Sequence, residues 1–197
     1  MPGIKLTKNE AKKQKDSLKR FQRYLPTLIL KKRQLQMVIR KVEEKVNEVE
    51  KKKARLEEMI QSWAGIFCEN VGLENLVRIN SVKKGIDNVA GVDIPVFSGI
   101  EIAIESYDLS TFPLWVDKAV SVLKDLISLD AEIDVLREGL LLLAGELRTT
   151  TQRVNLFEKV KIPEARENIR RINIYLGDQQ TAAVVRGKMA KNKLVEV

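Results

Sequence analysis

Apolar residues recur along most of this chain at alternating steps of three and four. Positions 18, 21, 25, 28, 32, 35, 39, 42, 46, 49, 53, 56, 60, 63 and 67 carry Leu, Phe, Leu, Leu, Lys, Leu, Ile, Val, Val, Val, Lys, Leu, Ile, Trp and Phe. Only Lys32 and Lys53 break the stripe. A heptad series kept this strictly predicts a long helix with one narrow apolar seam, the pattern of a left-handed coiled coil. Thr7, with Glu10 three residues on, is its candidate N-cap. A helix from about residue 8 to 67 would run on the order of 90 Å at 1.5 Å per residue. Pro26 leaves two readings: a kink near Arg23, or a helix that properly begins near Pro26.

A second series starts after Ser110, Thr111 and Pro113, which together offer a helix start. It occupies 115, 119, 122, 126, 129, 133, 136, 140, 143, 147, 150, 154 and 157, from Trp115 to Phe157. Gly139 and Gly145 weaken its middle, so a single unbroken helix is not required. The next apolar position is Ile162, one residue late, just before Pro163. A local bulge or kink there would realign the stripe, which continues through Ala165, Ile169, Ile172 and Leu176. So narrow a stripe fits one partner helix and does not bury itself alone. The two series, joined by a turn-rich middle, therefore fold back antiparallel, with both chain ends at the same tip.

The middle changes period. Gly72, Gly85, Gly91 and Gly99 arrive with Asn70, Asn75, Asn80 and Asn88, which are turn formers. Val77–Val82 and Val92–Phe97 read as strands. Ile100, Ile102 and Ile104 alternate with Glu101, Ala103 and Glu105, a period of two. Asp87 to Gly91 is the expected turn, and Pro95 argues for an edge strand. This is a small β-hairpin or three-stranded patch, too small to stand alone, so it must pack against the end of the helical rod. The fold class is thus mainly α: a long antiparallel two-helix coiled coil, with a small β-hairpin and a short helical segment at the end opposite the termini. Its parts are residues 1–67, 68–112 and 113–197, in one structural unit.

Composition narrows the chemistry. The 197 residues include no histidine and one cysteine, with 5% aromatic and 31% charged side chains. Few aromatics with many Lys, Glu, Leu and Ile suit long helices. The lack of His removes the commonest general base and metal ligand, and every Ser-His or Cys-His pair. Cys68 has no basic neighbour in sequence to lower its pKa, so it reads as packing. Val71-Gly72 and Ala90-Gly91 lack a following Gly-Lys-Ser/Thr, so there is no phosphate-cradling loop. Asp125, Asp130, Glu132 and Asp134 cluster, but on a helix they read as a solvated acidic face. Trp63 and Trp115 sit on the stripes near the hairpin and read as an aromatic plug. No cofactor or metal is expected. No run approaches 18 apolar residues, so direct membrane insertion is not expected either.

Charge is unevenly placed. Residues 1–58 hold 18 Lys/Arg against 8 Asp/Glu, residues 59–146 hold 6 against 14, and residues 147–197 hold 11 against 5. In an antiparallel fold the basic ends meet at one pole, with Lys5, Lys8, Lys12, Lys13 and Lys15 near Arg186, Lys188, Lys191 and Lys193. Such a pole suits nucleic acid electrostatically. It lacks interleaved aromatics and any base-reading motif, and a charged protein partner suits it as well.

The run Arg153-Val154-Asn155, Glu158 and Ile162-Pro163, followed by Ile169, Ile172 and Leu176, resembles the C-terminal signature of the D subunit of V-type and A-type rotary ATPases and ATP synthases. Lys8 to Leu35, ending in Leu30-Lys31-Lys32-Arg33-Gln34-Leu35, resembles the first helix of that family. Tyr24-Leu25-Pro26 stands where many members have a Gly-His pair, and Asp178-Gln179-Gln180-Thr181 replaces a more charged run. The resemblance implies a non-catalytic rotor shaft in the central stalk. Its partners would be the A3B3 catalytic hexamer, the small F subunit of the central stalk and the socket subunit of the membrane rotor. It implies a cytoplasmic place, peripheral to the membrane through the complex, and no nucleic-acid partner. Candidate partner-binding residues are Arg153, Glu158, Arg170, Arg171, Arg186, Lys188, Lys191, Lys193, Lys12 and Lys13. The rival readings are a general coiled-coil adaptor or tether and a basic nucleic-acid-binding helical hairpin.

Overall fold

The structure, a computed structural model, describes residues 4–61, 76–105, 113 and 115–195. In chain order it has helix α1 (Lys8–Gln61), strands β1 (Val77–Val89) and β2 (Val92–Ile104), helix α2 (Val116–Asn155), a π-helical segment (Leu156–Lys161) and helix α3 (Ile162–Val195). The chain divides into two compact units, Met1–Lys32 with Thr149–Val197, and Arg33–Arg148. Both chain ends fall in the first unit. Trp63, Phe67, Cys68 and the glycine and asparagine positions from 70 to 75 lie outside the described residues. So do Ser110 and Thr111. Leu76, at the margin of the stretch where the short helical segment is expected, is helical.

α1 starts where its cap predicts. The Glu10 amide donates to Thr7 Oγ1 at 3.3 Å. The reciprocal half of the capping box is not formed, because Glu10 Oε1 instead accepts from Gln14 Nε2 at 3.0 Å. The helix continues through Pro26 for 54 residues, so it does not begin there. Thr27 Oγ1 donates to the Tyr24 carbonyl at 2.8 Å, beside the proline. Every described position of the first heptad series is buried or half-buried, Lys32 and Lys53 included. The same holds for the second series from Trp115 to Phe157 and for Ile162, Ala165, Ile169, Ile172 and Leu176.

In the unit of residues 33–148, α1 and α2 pair antiparallel. Leu35 and Leu143, each 0% exposed, share a core with Ile94. Cross-helix ion pairs join Lys45 to Glu132, Glu50 to Arg137 and Lys53 to Asp130. From Leu35 with Leu143 to Lys53 with Asp130, numbers on α2 fall as those on α1 rise, as antiparallel register requires. α2 is unbroken across Gly139 and Gly145. At Gly139 a side chain would come against Ile94 and Pro95 at about 3.9–4.0 Å. That is ordinary van der Waals contact, so the packing of the sheet here does not require glycine.

β1 and β2 form one two-stranded antiparallel sheet of 13-residue strands. Of the two arrangements expected, a hairpin and a three-stranded patch, the structure forms the hairpin. Val92–Phe97 and Ile100–Ile104 are one strand, and β1 continues past Val82 to Val89. Register shifts at Ile79/Ser81 and Lys83/Lys84 explain why the strands read shorter than they are. Each bulge reverses the face on which successive side chains lie, so a simple period of two does not survive the whole strand. The turn is Ala90-Gly91, with φ of 54° and 76°, both in the left-handed region that a type I′ hairpin demands. Asn88 closes it: its Oδ1 accepts from the Gly91 amide at 3.2 Å, and its Nδ2 donates to Asp93 at 2.6 Å.

The sheet lies lengthwise on the flank of the α1–α2 pair. Its base packs Leu76 and Val77 on Trp115, Val116 and Val120. Its tip packs Val89, Ala90, Val92 and Ile94 on Leu35, Val38, Ile39, Val42, Leu143 and Leu147. Lys84 pairs with Glu138 at 2.6 Å. This explains a second buried face on α2, through Val120, Leu123, Ile127, Ala131 and Val135. One stripe of α2 faces α1 and the other faces the sheet.

In the other unit, α1 and the C-terminal arm also run antiparallel. Phe21 and Phe157 stack with ring centroids 5.2 Å apart. Val154, Ile162, Ala165 and Ile172 are buried, opposite a helix that buries Ala11. Between Phe157 and Ile162 the helix opens into its π segment. The Ile162 amide reaches back five residues to the Phe157 carbonyl. This is the realignment expected from the late apolar position. The wide turn takes up one extra residue, so both halves of the stripe stay on the buried side.

Candidate partner-binding surfaces

The ten candidate residues all belong to the unit that holds both termini. Lys12 and Lys13 are exposed on the second turn of α1. Arg153 is exposed in the last turn of α2, and Glu158 is exposed on the π segment. Arg170 and Arg171 share one carboxylate, Glu167, at 3.9 and 3.1 Å. These are local i,i+3 and i,i+4 pairs on a solvated face, and each contributes little. Arg186, Lys188 and Lys191 are exposed on α3, and the side chain of Lys193 lies outside the described residues.

The register spreads these charges along the unit. With Phe21 level with Phe157, Lys12 and Lys13 come level with about residues 165–167, beside Arg166 and within a turn of Arg170. Arg186 to Lys191 stand about 20 residues further along α3, roughly 30 Å at helical rise. The expected pole of Lys5–Lys15 with Arg186–Lys193 thus separates into two basic zones. From Gly177 to Asn192 every residue of α3 is exposed, Val184, Val185 and Met189 included. A helical stretch with exposed apolar and basic residues and no buried face gains little from its own chain, and is suited to a surface supplied from outside.

The acidic cluster of α2 resolves differently. Asp130 and Glu132 are tied to α1 through Lys53 and Lys45. The Asp130 hydrogen bond holds the Lys53 ammonium above its ordinary pKa. Asp130 and Asp134 also line an open cleft with Glu50, Glu57 and Arg137. Among the described residues no group of three metal-binding side chains gathers. On the sheet, Lys83 and Ser81 bind Glu101 and hold its carboxyl below the usual range, with the Lys83 hydrogen bond the larger cause.

Sequence reading missed the apolar surface. Leu141 is 75% exposed, and beside it Ile39, Leu140 and Ala144 line a cleft of about 410 Å³ rimmed by Glu43 and Arg137. Ile86 on β1 is 82% exposed. The signal was present in the run Leu140-Leu141-Leu142-Leu143. Four consecutive leucines on one helix point in four directions about 100° apart, so one stripe does not bury them all. No described helix is long and apolar enough to cross a membrane.

A family model for the D subunit of ATP synthase matches residues 10–192. The V-type ATP synthase D subunit of Borreliella burgdorferi is 52% identical, over 100% of this chain and 97% of its own length. The protein of the same name from Chlamydia pneumoniae is 35% identical over 97% of this chain and 93% of its own. The one from Chlamydia trachomatis serovar L2 is 31% identical over 97% and 96%. The match spans both helical arms and the hairpin, so this chain belongs to the D subunit family of V-type ATP synthases.

Proposed function

We propose that this chain is the central rotor shaft of a V-type ATP synthase, a non-catalytic component that transmits torque between the nucleotide-hydrolysing head and the membrane rotor. The observation that carries this reading is family membership over the full chain at 52% identity. The architecture is suited to it. Within each unit α1 is packed on an antiparallel partner through a largely apolar seam, and two joined helices resist twisting better than one. The seam leaves charged and apolar side chains outward for partners.

Three partners follow. The terminal unit, with Lys12, Lys13, Arg170, Arg171, Arg186, Lys188, Lys191 and Lys193 outward, enters the cavity of the catalytic hexamer. The small F subunit of the stalk and the socket subunit of the membrane rotor take surfaces elsewhere on the shaft. Arg153, just before the π segment, and Glu158, on it, contact the hexamer wall. The protein is then cytoplasmic and held at the membrane through the complex. Nucleotide and nucleic acid are not its ligands.

The test is affinity isolation of the tagged chain from its own cells, with the co-purifying subunits identified. Recovery of the catalytic subunits and a small second stalk component in fixed ratio is expected. Recovery of nucleic acid or of unrelated coiled-coil proteins in their place would refute the reading.

A further inference from the structure

We propose that Leu156–Lys161 is a soft turn written into the sequence by its extra residue, a conformational device at which the C-terminal arm yields first. Two causes could make this segment π-helical. Pro163 has no amide to donate and presses on the turn before it. Independently, the apolar stripe arrives one residue late at Ile162. The structure favours the second. In α1, Pro26 lies inside a helix that continues in α form on both sides, so a proline alone does not open a π turn in this protein.

The stripe explains why the turn stays where it is. Phe157, near its start, packs on Phe21, and Ile162, just past its end, is buried. Moving the wide turn one step toward the N-terminus would bring Asn155 and Glu158 onto the buried line. Moving it toward the C-terminus would bring Lys161 and Glu164 there. Either shift buries polar or charged groups, so the extra residue is trapped. The extra residue is not needed for packing: of the six π residues none is fully buried, and only Phe157, against Phe21, and Lys161 are half-buried. Removing one of them restores steps of three and four through the whole arm. What the segment contributes is a turn of poorer hydrogen-bond geometry between two well-packed stretches. A twist applied to α3 would be taken up there first. That consequence rests on the shaft reading. The softness itself does not.

The experiment uses the full chain alone, so its failure is distinct from a failure to join a rotary complex. Amide hydrogen exchange is compared in wild type, in Pro163→Ala, and in a variant combining Pro163→Ala with deletion of Val160. A fourth variant, deletion of the exposed Arg166, throws Ile169 and Ile172 off the stripe and serves as the control for a misplaced deletion. In wild type, amides of 156–162 are expected to exchange faster than those of 143–150 and 165–172. Pro163→Ala alone should leave that contrast in place. The Val160 deletion should slow exchange in the segment by about five- to tenfold, the worth of roughly one regained hydrogen bond, and keep or raise Tm. The Arg166 deletion should lower Tm by well over about 5 °C. Protection restored by Pro163→Ala alone would assign the turn to the proline and overturn the proposal. So would a Val160 deletion as damaging as that of Arg166.

Discussion

Leu143 is where the helix pair and the sheet meet, and its truncation tests that junction most directly. The side chain is 0% exposed, and it shares a cluster with Leu35 of α1 and Ile94 of β2. Leu143→Ala removes buried methyl groups and leaves a void bounded by two helices and a strand. None of these relaxes easily, because each is held by its own hydrogen-bonded ladder. The expected cost is about 3–4 kcal/mol, in the middle of the range for buried leucines. In a chain of this size each kcal/mol moves Tm by about 2–4 °C, so a fall of roughly 6–15 °C is expected. Leu141→Ala is the internal control. It lies two residues away on the same helix but 75% exposed, and should change stability by less than about 0.5 kcal/mol. Urea unfolding followed by far-ultraviolet circular dichroism gives both numbers. Fluorescence of Trp115, which packs at the sheet base, read in a Trp63→Phe background, reports whether the same unit melts. Equal effects at 141 and 143 would refute the placement of the sheet over this face of α2.

Gly91→Ala should cost about 1 kcal/mol, because a φ of 76° carries a penalty for any residue with a side chain; an unchanged melting curve would contradict the type I′ turn. Glu101 should titrate below the ordinary carboxylate value, since Lys83 and Ser81 bind its charged form. Its contribution to stability is then present above that ordinary value and lost as pH falls through the folded pKa. Lys83→Met should raise the midpoint in a carboxyl-carbon NMR titration, and no movement would refute the pairing. Reversing Arg186, Lys188, Lys191 and Lys193 together to Glu should leave helicity nearly unchanged and weaken assembly with the catalytic hexamer, in the same sense as raising salt does for the wild type. Assembly and coupling equal to wild type would reduce these charges to a solubility device.

The helical arms were legible because one physical demand, burial of a seam against a single partner, repeats along them without change. Lys32 and Lys53 break the apolar pattern but not the geometry. Each is half-buried on the seam, as a long stem with a charged tip permits, and the Lys53 ammonium pairs with Asp130. The late stripe position at Ile162 was legible for the same reason. The hairpin was legible as strand and turn, but not in extent. Polar Lys83, Lys84, Asp87 and Asn88 belong to a strand whose bulges shift which face looks inward, and no local period records that. The second buried face of α2 was hidden for a different reason. Val120, Ile127 and Val135 are apolar whether they meet a sheet or solvent, and only the fold shows what covers them.

The charged candidates illustrate the limit of reading charge from sequence. Basic residues gathered near both ends suggest one pole, and antiparallel pairing points the same way. Pairing fixes register, however, and register is set by apolar contacts such as Phe21 with Phe157, not by where the lysines lie. With that contact in place, α3 has about 25 more residues beyond the level of Lys12 than α1 has helix left to match. Most of that surplus is the exposed stretch from Gly177 to Asn192. Among the described residues, charge on α3 is engaged in local pairs such as Glu167 with Arg170 and Arg171. It decorates an arm that the seam has already positioned, and its effect is to be sought in association with other chains, where net field and salt dependence act. That division, apolar contacts for the internal register and charge for external encounter, is why reversing the distal charges and truncating Leu143 should fail in different assays.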